Sequence, residues 1–268
     1  MPCASAGVSA TAPAGEFCAP AAPATRCSNC HLRELCIPAG LAAADVALVD
    51  GLVAARRRLQ RRETLYQAGA AFKSLYIVRC GCFKSCLLSQ AGREQVTGFQ
   101  IAGDMIGTDG IDGERYSVDV VALEDSEVCV IPYLRLEEMC ERIPSLRGRL
   151  SRTMGREISR DLGIMLLLGS NRGEERVAGF LLDLSRRRHA RGLAGSQFRL
   201  YMSREEIGSY LGLKLETVSR IFSRFHEQGV LSVDKRLVRI VDVAALNEVM
   251  RRAAPGQRPV RSAQACVC

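Results

Sequence analysis

The chain has 268 residues, enough for two domains at the usual ~100–200 residues each, and its 37 Lys and Arg against 29 Asp and Glu leave a formal charge of +8. That balance favours a polyanionic partner such as nucleic acid or an anionic membrane surface. The longest apolar run, Ile164 to Leu168, falls far short of the ~20 residues of a membrane-spanning helix, which excludes that class.

The opening stretch MPCASAGVSATAPAGEF has neither a basic segment nor an apolar one, so it does not read as a secretory signal. A cytoplasmic setting is expected, where thiols stay reduced and disulfides are rare. The 12 cysteines then serve metal, redox chemistry or packing, and position has to decide among these. Residues 1–26, mostly Ala, Pro, Ser, Gly and Thr, are expected to form a disordered tail, because they cannot bury enough apolar surface to offset ordering. Residues 252–268, with Pro255, Gly256 and Pro259, read as a second disordered tail. Cys3, Cys18, Cys266 and Cys268 fall in these tails and read as spares.

Residues 27–40 begin CSNCHLRELCIP, placing Cys27, Cys30 and Cys36 with two and then five residues between them. The close pair suits structural zinc with His31 as a further ligand, although zinc modules usually repeat such a pair and none follows. Thioredoxin-like redox work would want a strand before the motif, where this chain has its tail. An iron-sulfur cluster takes four thiolates, three from one loop and one from elsewhere. Cys129 and Cys140 are then the candidates for the fourth.

Residues 41–135 are predicted to form a sensory β-roll. Short alternating runs (TLYQAG, SLYIVRCG, CFKSCLL, QVTGF, VDVVALE, VCVIP) are broken by Gly69, Gly81, Gly92, Gly103 and Gly113, the pattern of an antiparallel sandwich or roll. Cys80, Cys82 and Cys86 lie within it and read as packing or surface residues. Residues 136–170 are predicted as a dimerisation helix. Met154, Ile158, Asp161, Met165 and Leu168 recur at intervals of four, three, four and three, a seam suited to pairing with a second copy. Asp161 would there face its mate and repel it, making the pairing conditional.

Residues 171–251 are predicted as a winged helix-turn-helix. In MSREEIGSYLGLKLETVSRIFSRFHEQGVL, Ser203 and Glu206 form a capping box, Ile207 and Leu211 turn inward, and Gly212 makes the turn. A second helix over about 215–228 buries Val218, Ile221, Phe222 and Phe225 and presents Glu216, Ser219 and Arg220 on its outer face. In such motifs that face enters the major groove of double-stranded DNA, where arginine grips guanine, glutamate accepts from cytosine and serine adapts. VLSVDKRLVRIVD reads as the wing, and Arg204, Lys214, Arg224, Lys235 and Arg236 are candidates for phosphate contacts.

From about Cys27 to Met250, the stretches CSNCHLRELCIP, KSLYIVRCG, GREQVTGF, GDMIG, ALEDSEVCVIP, IMLLL, EERVAGFLLDLSRR and FRLYMSREEIGSYLGLKLETVSR follow in an order that resembles the fumarate and nitrate reduction regulator, the oxygen-sensing branch of the cyclic AMP receptor protein superfamily. The resemblance implies an α+β architecture: an N-terminal antiparallel β-roll of the cyclic-nucleotide-binding jelly-roll kind, a long dimerisation helix and a C-terminal winged helix-turn-helix. It implies a 4Fe-4S cluster on Cys27, Cys30, Cys36 and Cys129, converted to 2Fe-2S by oxygen, and no role for Cys140. It also implies a homodimer when the cluster is intact, with Ile158 and Asp161 at control positions, and base reading by Glu216, Ser219 and Arg220 at palindromes of TTGAT-like half-sites. Activation or repression of anaerobic-metabolism genes would follow, through RNA polymerase contacts that include the loop near Gln90 to Glu94. His31, the Ala-rich leader, Cys266 and Cys268 depart from the family pattern.

Two rivals remain at this level. A cyclic-nucleotide-gated activator of the same fold would carry a phosphate cassette, but here GDMIGTDGIDGERYS sets Tyr116 between Arg115 and Ser117. An iron-sulfur or thiol redox enzyme would need a poised acid or base, and His189 and His226 sit in helical surface stretches with no catalytic constellation around them, so the chain is not expected to be an enzyme.

Overall fold

The computed structural model describes residues 26–88, 92–170 and 172–251. Apart from Arg26, both expected tails lie outside the described residues, as do Gln90 and Ala91 of the proposed polymerase loop.

A turn-rich segment over 27–41 leads into helix α1 (Ala43–Val49). The strands β1 (Ala55–Leu59), β2 (Thr64–Tyr66), β3 (Ser74–Cys80), β4 (Cys82–Leu88), β5 (Glu94–Ile101), β6 (Met105–Ile106), β7 (Asp119–Ala122) and β8 (Ser126–Pro132) build the roll. They form two antiparallel sheets, ordered β1-β8-β3-β6 and β2-β7-β4-β5. Leu59, Val78, Phe83, Val120 and Val128 fill the space between the sheets. On the other side of β3, Leu75 and Ile77 pack against α1 and the helices that follow. Burial on both faces explains why SLYIV is a continuous apolar run instead of a strict alternation. Gly81 links β3 to β4 at φ +94°, and an added Cβ would stand 2.0 Å from Ser126 Oγ, so this reversal requires glycine.

The segment 136–170, predicted as one helix, divides between two. Helix α2 (Tyr133–Arg142) packs on the roll, Ile143 is extended, and α3 (Pro144–Ser170) starts afresh. Pro144 is the cause: it disfavours helical geometry in the residue before it, yet suits a first helical position. Along α3, Ile158 is 60% exposed and Met165 66%, with Leu162 and Leu166 similarly open. Met154 and Leu168 are half-buried and Asp161 is exposed.

Helix α4 (Gly173–His189), strand β9 (Gln197–Arg199), helices α5 (Arg204–Leu211) and α6 (Leu215–Glu227), strands β10 (Leu231–Asp234) and β11 (Leu237–Ile240) and helix α7 (Val243–Arg251) complete the described chain. The wing gains a strand beyond the two predicted, because β9 pairs with β11. At α5, Ser203 Oγ accepts from the Glu206 amide at 3.1 Å while Glu206 Oε2 accepts from the Ser203 amide at 2.7 Å, the reciprocal cap expected. Gly212 closes α5 at φ +62°, a left-handed conformation that glycine takes without penalty. Val218, Phe222 and Phe225 seat α6 on a core shared with α4 and α5, and this core continues into Val96, Phe99 and Ile101 of the roll.

Candidate cysteine site and DNA-reading face

Cys27, Cys30, Cys36 and Cys129 line one cavity, together with Leu32, Ile37, Val49, Leu52, Ile77, Arg79 and Ile131. Its free volume is about 30 Å³. The loop reaches this place because Leu32 and Ile37 are buried, and because the Ser28 amide and hydroxyl both donate to the Asp50 carboxylate at 2.8 Å. Arg149 of α3 adds a further tie, donating to the carbonyls of Leu35 at 3.0 Å and Cys36 at 3.1 Å. No local pattern in the sequence marked Arg149, since the loop it holds lies over a hundred residues away. Cys129 is fixed in the middle of β8, opposite Arg56 of β1 and Ile77 of β3.

Cys140 lies elsewhere, buried in α2 among Leu136, Ile143 and Leu146. His31 lines a separate cavity with Arg79, Cys80 and Arg199, which leaves a zinc site combining it with the three loop sulfurs without support. Cys82 and Cys86 are buried packing residues.

The electrostatics show what the thiols lack. Burial, then the neighbouring Cys129, Cys30 and Asp50, pushes the Cys27 thiol up to about 11. Burial likewise raises Cys36 and Cys129, against the pull of Arg56 and Arg79 on the latter. Thiols this close and this dry stay protonated unless a cation takes the place of the protons. Among the described residues, no group of three His, Cys, Asp or Glu stands close enough to hold a single metal ion. A polynuclear iron-sulfur group takes one thiolate per corner, so its donors stand around a cavity and not about a point. Four sulfurs from two chain segments around a cavity walled by aliphatic side chains fit that donor set. Next to the site, the buried Glu127 receives Arg79 at 2.8 Å and has Arg56 at 4.0 Å, which fixes the two cations beside Cys129.

At the other end of the molecule, Glu216, Ser219 and Arg220 are exposed on one face of α6. Lys214 and Lys235, at the start of α6 and the tip of the wing, are also exposed. Three of the expected phosphate-binding arginines are engaged within the chain. Arg204 stacks on the Phe222 ring at 3.3 Å, Arg224 pairs with Glu174, and Arg236 donates to the Tyr201 carbonyl at 2.9 Å. Each sits where its long side chain covers an apolar or acidic neighbour, which residue type alone could not show.

In the roll interior, where a nucleotide cassette would lie, Tyr116 stacks on Tyr66 at 3.7 Å and donates to the Ser74 carbonyl at 2.8 Å. Asp109 accepts from Tyr66 and from the Ser117 amide, at 3.0 and 2.7 Å. The cavity between the roll and α3, about 680 Å³, presents the carboxylates of Asp109, Glu157 and Asp161 alongside Arg160 and Arg176. Packed rings and an acidic wall suit a cyclic phosphate poorly.

Residues 56–143 match the cyclic nucleotide-binding domain model and residues 175–249 the Crp-like helix-turn-helix domain model. The chain is 45% identical over 222 residues to the "Transcriptional activator protein anr" of Pseudomonas aeruginosa, covering 83% of this chain and 91% of that one. It is 39% identical over 226 residues to the "Fumarate and nitrate reduction regulatory protein" of Escherichia coli, covering 84% and 90%. Among solved structures, FixK2 from Bradyrhizobium japonicum superposes with a TM-score of 0.68 at 31% identity, over 74% of this chain and 98% of that one.

Proposed function

Because this chain belongs to the CRP/FNR family of transcription regulators, with FNR/ANR-type activators among its relatives, we propose that it is an oxygen-responsive DNA-binding regulator whose Cys27, Cys30, Cys36 and Cys129 hold a 4Fe-4S cluster under anaerobic conditions. Its relatives are transcription regulators and not enzymes. Among the described residues no helix is long and apolar enough to cross a membrane, which is consistent with the proposed cytoplasmic action on DNA. The observation that carries the reading is the gathering of the four cysteines around one cavity. Held by Cys27, Cys30, Cys36 and Cys129, a bound cluster would supply an oxygen-sensitive cross-link between loop and roll.

The remaining steps belong to the chain's own residues. Leu32, Ile37 and the Ser28–Asp50 pair seat the loop, and Arg149 couples it to the start of α3. The apolar face of α3, with exposed Ile158 and Met165 and half-buried Met154 and Leu168, is the proposed dimer seam, and Asp161 opposes pairing within it. A loop held in place stabilises the paired state, and anything that binds one state shifts the equilibrium toward it. Each subunit then offers Glu216, Ser219 and Arg220 to one half of a TTGAT-like palindrome, and two half-sites bind far more tightly than one. The loop near Gln90 to Glu94 is the proposed contact with RNA polymerase.

The stacked Tyr66 and Tyr116 rings and the carboxylates of Asp109, Glu157 and Asp161 along the neighbouring cavity speak against gating by a cyclic nucleotide. The test is isolation without air, iron and acid-labile sulfide assay, and gel shift on a palindromic duplex before and after air. Iron and sulfide near four each per chain, with binding lost in air, is the expected result. Iron-free protein that binds equally well in air and without it would overturn the proposal.

A further inference from the structure

Asp104 lies in the turn between β5 and β6 and is 6% exposed. Its carboxylate accepts from the Ile101 amide at 2.8 Å and from the guanidinium groups of Arg187 and Arg191 on α4, while Arg160 of α3 stands 3.7 Å away. Arg187 also donates to the Phe99 carbonyl at 2.8 Å, and Arg191 to the Ala102 carbonyl. The turn itself is pinned to β3 by the Val78 amide on the Asp104 carbonyl at 2.9 Å and the Gly103 amide on the Val78 carbonyl at 2.8 Å. Burial pushes this carboxyl up, and Arg187, Arg191 and Arg160 more than reverse the shift, so it stays ionised. Roll, dimer helix and DNA-reading unit therefore meet on one buried anion.

The surrounding interface divides into two kinds of contact. Phe99 meets Phe180 and Tyr210 edge to face, with ring centroids 5.9 and 5.1 Å apart, in a non-directional apolar patch. Charge-assisted hydrogen bonds to a carboxylate fix direction as well as distance. Directional contacts also reach α5, where the Val96 amide donates to Ser209 Oγ at 2.9 Å and Lys84 pairs with Glu206 at 3.1 Å; Asp104 adds a hold shared with α3 and α4. The core that joins α4 to α5 and α6 carries any change of angle at α4 to the recognition helix.

We propose that Asp104 is a positioning residue for DNA reading, setting the angle at which each subunit holds its recognition helix relative to α3 and so the half-site spacing that the dimer accepts. The inference rests on the dimeric DNA-binding reading above. It adds a specificity determinant far from any base.

The test uses the full chain prepared without air, as wild type and as Asp104→Asn, which keeps the shape and removes the charge. Affinities are measured on palindromes with half-sites at the preferred spacing and with one base pair added or removed. The ratio between spacings should fall about tenfold in the variant, the scale of one charge-assisted hydrogen bond. A residue that merely stabilises the fold would lower every affinity by the same factor, and an unchanged ratio overturns the proposal. If Asp104→Asn does not fold, Arg160→Gln removes only the α3 contact at a side chain 29% exposed; a narrowed ratio supports the proposal and an unchanged one overturns it. Wild-type protein that ignores palindromes altogether would overturn the functional reading together with this one, whereas an unchanged ratio leaves that reading standing.

Discussion

Replacing Arg220 with alanine should separate reading from holding. The side chain is exposed, and α6 is seated by Val218, Ile221, Phe222 and Phe225, each at most 6% exposed, so the fold should survive the change. Alanine is also at least as good a helix former as arginine. A lost bidentate contact to guanine costs about 1–3 kcal/mol per base. A two-fold dimer loses it in both half-sites, which makes about 2–6 kcal/mol, or from about 30-fold to over about 10,000-fold in affinity. On random DNA the same change removes one cation per subunit and should cost far less. Lys235→Ala is the contrast, because its exposed place at the wing tip suits phosphate: all sequences should weaken together, with the salt slope reduced by about 1 for each lost phosphate contact. Fluorescence anisotropy on the palindrome and on a scrambled duplex, at several salt concentrations, measures both. Equal losses on the two duplexes for Arg220→Ala would refute the assignment of that face to base reading.

Cys129→Ser should abolish anaerobic iron and sulfide content, while Cys140→Ser, outside the lining of the cysteine cavity, should leave both in place; metal analysis that finds the reverse would exchange their roles. Asp161→Ala should raise the dimer fraction in air, read by sedimentation, and an unchanged monomer fraction would remove Asp161 from control of pairing. Burial pushes the Glu157 carboxyl from 4.5 up to about 7, with Arg160 opposing and Asp104 and Asp161 adding to the rise. At this group the folded state then binds more protons than the unfolded one between those values, so the contribution of Glu157 to stability is greatest below about pH 4.5 and falls as pH rises toward 7. Thermal unfolding of Glu157→Gln across that window should lose this fall, whereas curves parallel to wild type would show that Glu157 does not produce it. Ser203→Ala removes the cap on α5 and should cost about 1 kcal/mol in thermal unfolding; no measurable loss would show that water replaces the cap.

The DNA-reading unit was the most legible part of the sequence because its signals are local. Ser203, Glu206 and Gly212 punctuate helices within a ten-residue span, and the apolar positions of α6 repeat at helical spacing. The roll was legible in class but not in detail: strand-length runs and glycines announced it, whereas the pairing of Cys129 with Arg56 and Ile77 depends on residues more than fifty positions away. The choice between Cys129 and Cys140 could not come from spacing. It needed the family resemblance; in the fold, Cys129 lines the cavity that the three loop cysteines line, whereas Cys140 is buried in α2 and does not line it. Least visible were Asp104 with Arg187 and Arg191, because a buried ion pair between distant segments leaves no periodic trace. The partners of Arg224 and Arg236, Glu174 and the Tyr201 carbonyl, were equally hidden, because they lie 50 and 35 residues away.

The bond set of Arg149 has a mechanical meaning. One guanidinium clasps the two carbonyls at 35 and 36, and its backbone belongs to the second turn of the rod that ends near residue 170. Slackening at those carbonyls would remove a polar tie at the near end of the rod, leaving buried Leu146 as its apolar seat on the roll-side core. Ile158 lies nine residues further along, at 1.5 Å per residue some 13 to 14 Å away. A pull on that tie would reach the proposed pairing surface through a single stiff strut.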